Sequence, residues 1–257
     1  MSRQLELVGF VRKDGLPSES VPGLYREFVS RFARKSFSLS KCKWVGDEDV
    51  PQESAVYPKA KAGEAGFSLD DWVFVDNGNG KPGTVNGFSF RLHNSPLMRE
   101  YLAGEARDKY CLVKSYYDNE IKSVYDPSAP YLGEEDKWFD IACFIADTVK
   151  PDFMVGDYGS GIEWQHPLQA VLKKDARGLS GHTGSLIFIG AGLVTPACLR
   201  ELSALEAYKS KSFASGCLLQ LRPVDYSRWG GPDTDAALKI REAPPERIIS
   251  ILVDGFK

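Results

Sequence analysis

The feature that most constrains the fold is an amphipathic segment, EEDKWFDIACFIADTV, which leads almost directly into the strand-like segment DFMVGDY. Apolar side chains recur in it at helical spacing and predict a wide stripe on one helix face, formed by Trp138, Ile141, Phe144, Ile145 and Val149. Acidic residues at its start suit the positive end of a helix dipole, and Pro151 ends the helix. Folding must therefore bury a broad helix face, and a strand must begin within a few residues of the end of the helix.

Other segments supply strands and two further helices. Strands are predicted, in chain order, at LELVGFV, DDWVFV, GFSFRLHN, KYCLVKSYY, EIKSVY, GSLIFIGAGL and GCLLQLRP, and IISILVDG is interpreted as an additional strand near the end. Helices are predicted at VPGLYREFVSRFARK and at PACLRELSALEAY, the second capped by Thr195 and Pro196. The predicted fold class is α+β: a mixed, largely antiparallel sheet with helices packed on it, in a single compact domain over residues 1–257.

The glycine-rich segment VDNGNGKPGT invites comparison with a phosphate-binding loop. Such a loop needs Gly, four residues and then Gly-Lys-Ser/Thr, because the hydroxyl holds magnesium beside the phosphates. Here Gly80-Lys81 is followed by Pro82, which has neither a hydroxyl nor a backbone N–H. The segment is therefore predicted to be a hairpin turn or surface loop between two strands.

Three further motifs fall short of an enzyme site. In IGAGLVT, Thr195 replaces the third glycine of the dinucleotide fingerprint, and the helix begins too late for a pyrophosphate. Asp152 followed by Glu163-Trp164-Gln165 lacks the lysine of a nuclease metal site. No nucleophile elbow can be drawn around Ser180 and Ser185. No nucleotide or other cofactor is expected.

The cysteines and histidines predict no metal site. The odd number of cysteines and their wide spacing favour reduced thiols, with Cys111, Cys143 and Cys217 in apolar, core-like runs.

The start of the chain lacks the apolar run of a signal peptide, and no segment approaches the roughly 18 apolar residues of a membrane span. We expect a cytoplasmic protein with no membrane partner, and the net charge of −3 argues against direct nucleic-acid binding.

The order of the elements resembles that of a known family. GFSFRLHNSP, the apolar helix running into VKPDFMVGDY, then GSLIFIGAG and SGCLLQL together resemble the immunity protein 52 family over roughly residues 86–222. That family includes immunity partners of type VI-secreted toxins with a restriction-endonuclease-like domain. The resemblance implies a non-enzymatic α+β protein, with no catalytic residue, that neutralises one cognate nuclease toxin in a tight complex.

Two acidic clusters are the predicted toxin-binding residues. Asp47, Glu48 and Asp49 follow Trp44 in a segment predicted to be a loop, and Glu134, Glu135 and Asp136 form the second cluster. Acidic groups complement a basic partner and speed association, while an aromatic side chain can anchor an interface. A solvated loop and an ordinary helix N-terminus are the alternative interpretations of these clusters.

Two other classes of function stay open at the level of sequence. One is a small cytoplasmic hydrolase or transferase with an atypical active site, because sequence does not show which side chains meet in space. The other is a scaffold or regulatory module.

Overall fold

The computed structural model describes residues 3–15, 24, 27–28, 31–32, 43–45, 72–76, 86–93, 109–119, 132–158, 165–180, 184–221 and 245–257. They fall into two compact units. The first unit comprises Met1–Glu6 and Val11–Ile121, and the second comprises Leu7–Phe10 and Lys122–Lys257. The fold is α+β with antiparallel strand pairs and packed helices, which confirms the predicted class. The single domain over 1–257 stays a prediction.

The first unit is built around an antiparallel meander. Its strands are β2 (Lys43–Val45), β3 (Trp72–Asp76), β4 (Asn86–His93) and β5 (Tyr110–Asn119), paired in chain order. Because β3 and β4 pair antiparallel, VDNGNGKPGT connects two neighbouring strands as predicted, although the connection itself lies outside the described residues. Strand β1 (Arg3–Arg12) precedes them and is followed by a short 3-10 turn, Lys13–Gly15.

The predicted helix after β1 is confirmed where it is described. Leu24, Glu27, Phe28, Arg31 and Phe32 are all helical. Phe28 is fully buried, and its ring centroid lies 5.0 Å from that of Phe32 one turn further on. The four-residue spacing of these rings therefore forms the apolar face that the sequence predicts.

The second unit contains a sheet of apolar strands. In addition to Leu7–Phe10 of β1, it has β6 (Phe153–Tyr158), β7 (Leu186–Gly190), β8 (Lys209–Phe213) and β9 (Gly216–Gln220). Their order is β1-β6-β7-β9-β8, and the pairs β6–β7, β7–β9 and β9–β8 are antiparallel. Strands β7 and β9 are buried at every residue, so β7 is central, as its apolar sequence predicts.

In the described part of this unit, four helices accompany the sheet. They are α1 (Leu132–Phe144), α2 (Gln165–Leu172), α3 (Pro196–Ser203) and α4 (Pro245–Val253), with a 3-10 turn at Ala176–Leu179. The predicted stripe of α1 is buried, and the helix continues as a π-helical turn over Ile145–Val149. The left-handed residue Lys150, with φ of 55°, then donates its N–H to the Ile145 carbonyl at 3.0 Å before Pro151. None of the helices in the described part of the chain is long and apolar enough to cross a membrane.

Helices cover both faces of this sheet. Residues paired across antiparallel strands share a face, so Lys211, Leu218 and Phe188 lie on one face, and Ser212, Cys217 and Ile189 on the other. Helix α1 lies on the first face, because the ring of its Phe139 is 5.7 Å from the ammonium group of Lys209. Helix α3 lies on the second, where its Ser203 hydroxyl is hydrogen-bonded to the Cys217 thiol.

The structure corrects one predicted element near the end of the chain. IISILVDG belongs to helix α4 and not to a strand. Ile248 and Leu252 are buried one turn apart, whereas Ser250, which an alternating strand would bury with them, is exposed; the periodicity is therefore helical. Short apolar runs satisfy either period, and the preceding Pro245 and Glu246 favour a helix start.

Other differences concern elements that the sequence analysis missed or extended. Helix α3 ends at Ser203 instead of continuing through residue 208, and residues 209–213 form the edge strand β8. Helix α2 was not predicted. The predicted strand EIKSVY lies outside the described residues.

Candidate functional site

A structured and accessible surface of the second unit lies where α3 meets the β8–β9 hairpin. Among the described strands β8 ends the strand order, and Ser210, Lys211 and Ser212 are exposed. Beside it is an open groove of about 380 Å³, hereafter the α3 groove, lined by Leu199, Arg200, Ser203, Ala204, Ser212, Phe213 and Gly216. Together they form a structured strand edge next to a shallow cleft.

The turn of the hairpin is held in place by both neighbouring connections. The Ser215 hydroxyl donates to the Ala146 carbonyl at 2.8 Å, within the π-helical turn after α1. The Ser215 carbonyl accepts from Ala191 N–H at 2.8 Å, in the connection from β7 to α3. A Cβ on Gly216 would collide with the Ile189 carbonyl oxygen, so only glycine allows β9 to start this close to β7. These contacts fix the position of the strand edge.

The register of the hairpin shows which backbone groups of β8 face outward. Phe213 pairs with Gly216 across the two-residue connection 214–215. In a hairpin closed by two residues, the flanking pair exchanges hydrogen bonds, and such pairs alternate along the ladder with pairs that do not. The backbone N–H and C=O groups of Ser210 and Ser212 therefore point away from β9.

One face of β8 carries positive charge supported by aromatic rings. The ammonium group of Lys209 lies 5.2 Å from the Tyr208 ring centroid, and that of Lys211 lies 5.3 Å from Phe213. Phe213 in turn packs edge-on against the buried Phe188, with centroids 6.3 Å apart. Strand β8 has two lysines and no acidic residue, so the edge is locally basic in a chain whose net charge is −3.

The thiols close to this surface are held in the neutral form. Burial raises the pKa of the Cys217 thiol above its ordinary value, although hydrogen bonds with Ser203 and Ser212 act in the opposite direction. Burial, with a smaller contribution from the Glu201 carboxylate, raises the pKa of Cys198 to about 11. A neutral, buried thiol is a weak nucleophile. Cys111, Cys143 and Cys217 are all buried thiols, as the sequence predicts for core cysteines.

The sequence-predicted toxin-binding residues fall in several places. Trp44 lies in strand β2, opposite Val73, which corrects its assignment to a loop. A three-residue strand offers too short an alternation to be recognised among the polar residues around it. Residues Asp47, Glu48 and Asp49 lie outside the described part of the chain. Glu134, Glu135 and Asp136 belong to the early part of α1, at the helix N-terminus, as expected.

Ser185 and Asp152, which the sequence motifs brought into question as catalytic residues, have structural roles. Ser185 is fully buried and donates its hydroxyl to the Asp157 carboxylate at 2.7 Å. Asp152 is also buried, and its N–H donates to the Phe10 carbonyl at 2.9 Å, which supports its interpretation as a strand entry. Within the described ranges, no three His, Cys, Asp or Glu side chains are grouped closely enough to hold a metal ion.

Strand β8 was not predicted, although its sequence carries a signal for it. KSKSF alternates lysine and serine and is separated by two residues from the apolar strand GCLLQ. That spacing is typical of a hairpin with one polar strand. Leu199, Leu202 and Leu205 at helical spacing favoured extending the helix instead.

Comparisons with known proteins place the chain in no family. No family model matches it, and no curated protein does. Among solved structures, the chain is similar to the Pseudomonas aeruginosa T6SS protein PA0821, with a TM-score of 0.45 and 10% identity. The superposition covers 98% of this chain and 73% of that chain. Likeness at this level establishes no function.

Proposed function

We propose that this protein is an immunity protein, without catalytic activity of its own, which binds a cognate secreted nuclease toxin and neutralises it in a tight complex. The observation that carries the proposal is the order of the elements between residues 86 and 222. The segments that resemble the immunity protein 52 family are β4, α1 leading into β6, then β7 and β9. The resemblance therefore concerns whole strands and helices and not isolated residues.

The surface of the second unit offers additional support. An inhibitor acts through its surface and needs no acid–base pair of its own. Loops and strand ends that a rigid core holds in place are the usual recognition elements. The β8 edge meets this description, because hydrogen bonds of Ser215 link the hairpin turn to the π-helical turn after α1 and to the β7–α3 connection. The partner we propose is a toxin encoded next to this chain.

Rescue of poisoned cells tests the proposal directly. The toxin-domain protein encoded beside this chain is expressed from an inducible promoter, with and without the present protein. Growth should be restored only when both are produced, and the two should co-purify as a complex that survives gel filtration. Soluble expression without rescue and without a complex would overturn the proposal. A metabolic neighbour, with turnover of its substrate by this protein, would favour the hydrolase or transferase alternative.

The acidic clusters define a second arm of the same experiment. A nuclease toxin has a basic groove for its substrate, which acidic side chains can cover. Reversing Asp47, Glu48 and Asp49 to lysine should slow association and reduce its dependence on salt. Replacing Trp44 with alanine should mainly speed dissociation. If both variants fold and bind with unchanged kinetics, the toxin contacts another surface.

A further inference from the structure

We propose that strand β8 is the docking edge for an extended, acidic segment of the partner protein, which adds a strand to the sheet of the second unit. This inference takes only the identity of the partner, a toxin, from the proposed function. The edge itself, Lys209–Phe213, is defined by register, exposure and charge.

Backbone geometry provides the first requirement for strand addition. The N–H and C=O groups of Ser210 and Ser212 point away from β9, and both residues are exposed. An added strand can therefore form four backbone hydrogen bonds with these two residues. Each bond increases the affinity by roughly a factor of three to ten, once the hydrogen bonds that both groups made to water have been subtracted. A fixed edge also lowers the ordering cost of binding, because the hairpin turn is already held on two sides.

Charge determines which kind of segment fits. An added strand would place every second side chain on the face of Lys209 and Lys211. A second copy of β8 would bring lysines against lysines, so the same charges that disfavour self-pairing favour an acidic occupant. Both ammonium groups lie beside aromatic rings, which restricts their positions before any partner arrives.

The α3 groove determines what the remaining side chains of the segment should be. Side chains next to Ser212 would lie on the α3 face of the sheet, where Leu199, Ser203 and Ala204 line the groove. The groove has a volume of about 380 Å³ and is open to solvent, so small apolar side chains of the segment can enter it. The expected segment therefore alternates acidic with small apolar residues over about five positions, the length of β8.

The test uses the full-length chain and a labelled peptide of eight residues that alternates glutamate with valine. Fluorescence anisotropy measures affinity, and amide hydrogen exchange reports protection in β8. We expect saturable binding, protection of the Ser210 and Ser212 amides, and loss of binding when lysine replaces glutamate in the peptide. Absence of protection at saturating peptide would overturn the inference.

Matched variants separate backbone pairing from simple charge attraction. Ser210→Pro removes an outward N–H without removing a β8–β9 bond, a position at which edge strands accept proline. It should weaken peptide binding about tenfold, whereas Ser210→Ala, which keeps the N–H, should bind as the parent does. Lys211→Glu should weaken binding of the acidic peptide by a similar factor and remove most of the preference for the acidic over the basic peptide, because Lys209 remains. Equal binding by the parent and all three variants would overturn the inference.

The same variants distinguish failure of this inference from failure of the proposed function. If the parent and Ser210→Pro both rescue cells and bind the toxin equally, the toxin docks elsewhere and the immunity function stands. If the acidic peptide binds and protects β8 while no toxin complex forms, the docking edge stands and the proposed function fails.

Discussion

Replacing Gly190 with alanine should destabilise the second unit strongly, because this position lies against backbone. A Cβ there would approach the Asp152 carbonyl oxygen to 2.7 Å, the Asp152 Cα to 2.9 Å and the Pro151 carbonyl oxygen to 2.9 Å. Nonbonded carbon contacts become favourable at ~3.5 Å, so the shortfall at the nearest carbon, the Asp152 Cα, is about 0.6 Å. The Gly190 N–H also donates to the Asp152 carbonyl at 2.8 Å, which prevents the two segments from separating without losing that bond.

The size of the stability loss in Gly190→Ala follows from the backbone atoms that the added Cβ would displace. Overpacking a core costs about 1–3 kcal/mol, and the upper end applies here because backbone cannot change rotamer. For a chain of this size each kcal/mol lowers the melting temperature by roughly 2–4 °C, so a decrease of roughly 6–12 °C is expected. Thermal unfolding followed by circular dichroism measures it.

Gly15→Ala is the matched control, because nothing lies within 4 Å of the Cβ that it adds. An exposed substitution of this kind should change stability by no more than about 0.5 kcal/mol in either direction. A Gly190→Ala protein that melts within ~2 °C of the control would refute the reasoning, since that difference corresponds to at most about 1 kcal/mol.

Two further predictions concern helix α3. Thr195→Ala removes the side-chain cap that accepts the Cys198 N–H at 3.3 Å, and should lower the free energy of unfolding by about 1 kcal/mol in denaturant titration, whereas Thr195→Ser should retain most of it. The folded-state pKa of Cys198, about 11, lies above the ordinary thiol value of 9.0, so the neutral thiol stabilises the fold below pH 9 and that contribution is lost as the pH rises towards 11. Cys198→Ala should flatten the fall in stability between these pH values, and an unchanged pH profile would show that another group is responsible.

Much of the architecture was determined by local sequence patterns. The stripe of α1, the apolar run of β7 and the Thr195-Pro196 cap each specify an element through spacing or capping within a few residues, and the structure confirms all three. Such elements are predictable because the physical reason for them, periodic burial or a satisfied N–H, is contained in the segment itself.

Only the tertiary structure decided the elements whose stability comes from distant partners. KSKSF forms a strand because GCLLQ provides a ladder and Ser215 is anchored to Ala146, a residue distant in sequence. IISILV becomes a helix because Ile248 and Leu252 find a buried face. The local signals, the alternation in KSKSF and Pro245-Glu246 before IISILV, do not decide these elements alone, since short segments satisfy both the helical and the strand period.

The same division applies to the candidate surface. The acidic clusters were predicted to bind the toxin because their charged residues are contiguous in the chain and can be recognised from the sequence. The β8 edge depends on which strand ends the sheet, on which backbone groups point outward, and on α3 lying beside the hairpin. The sequence contained the lysines and serines of this edge, but their exposure and direction follow from strand pairing, which is a property of the folded chain.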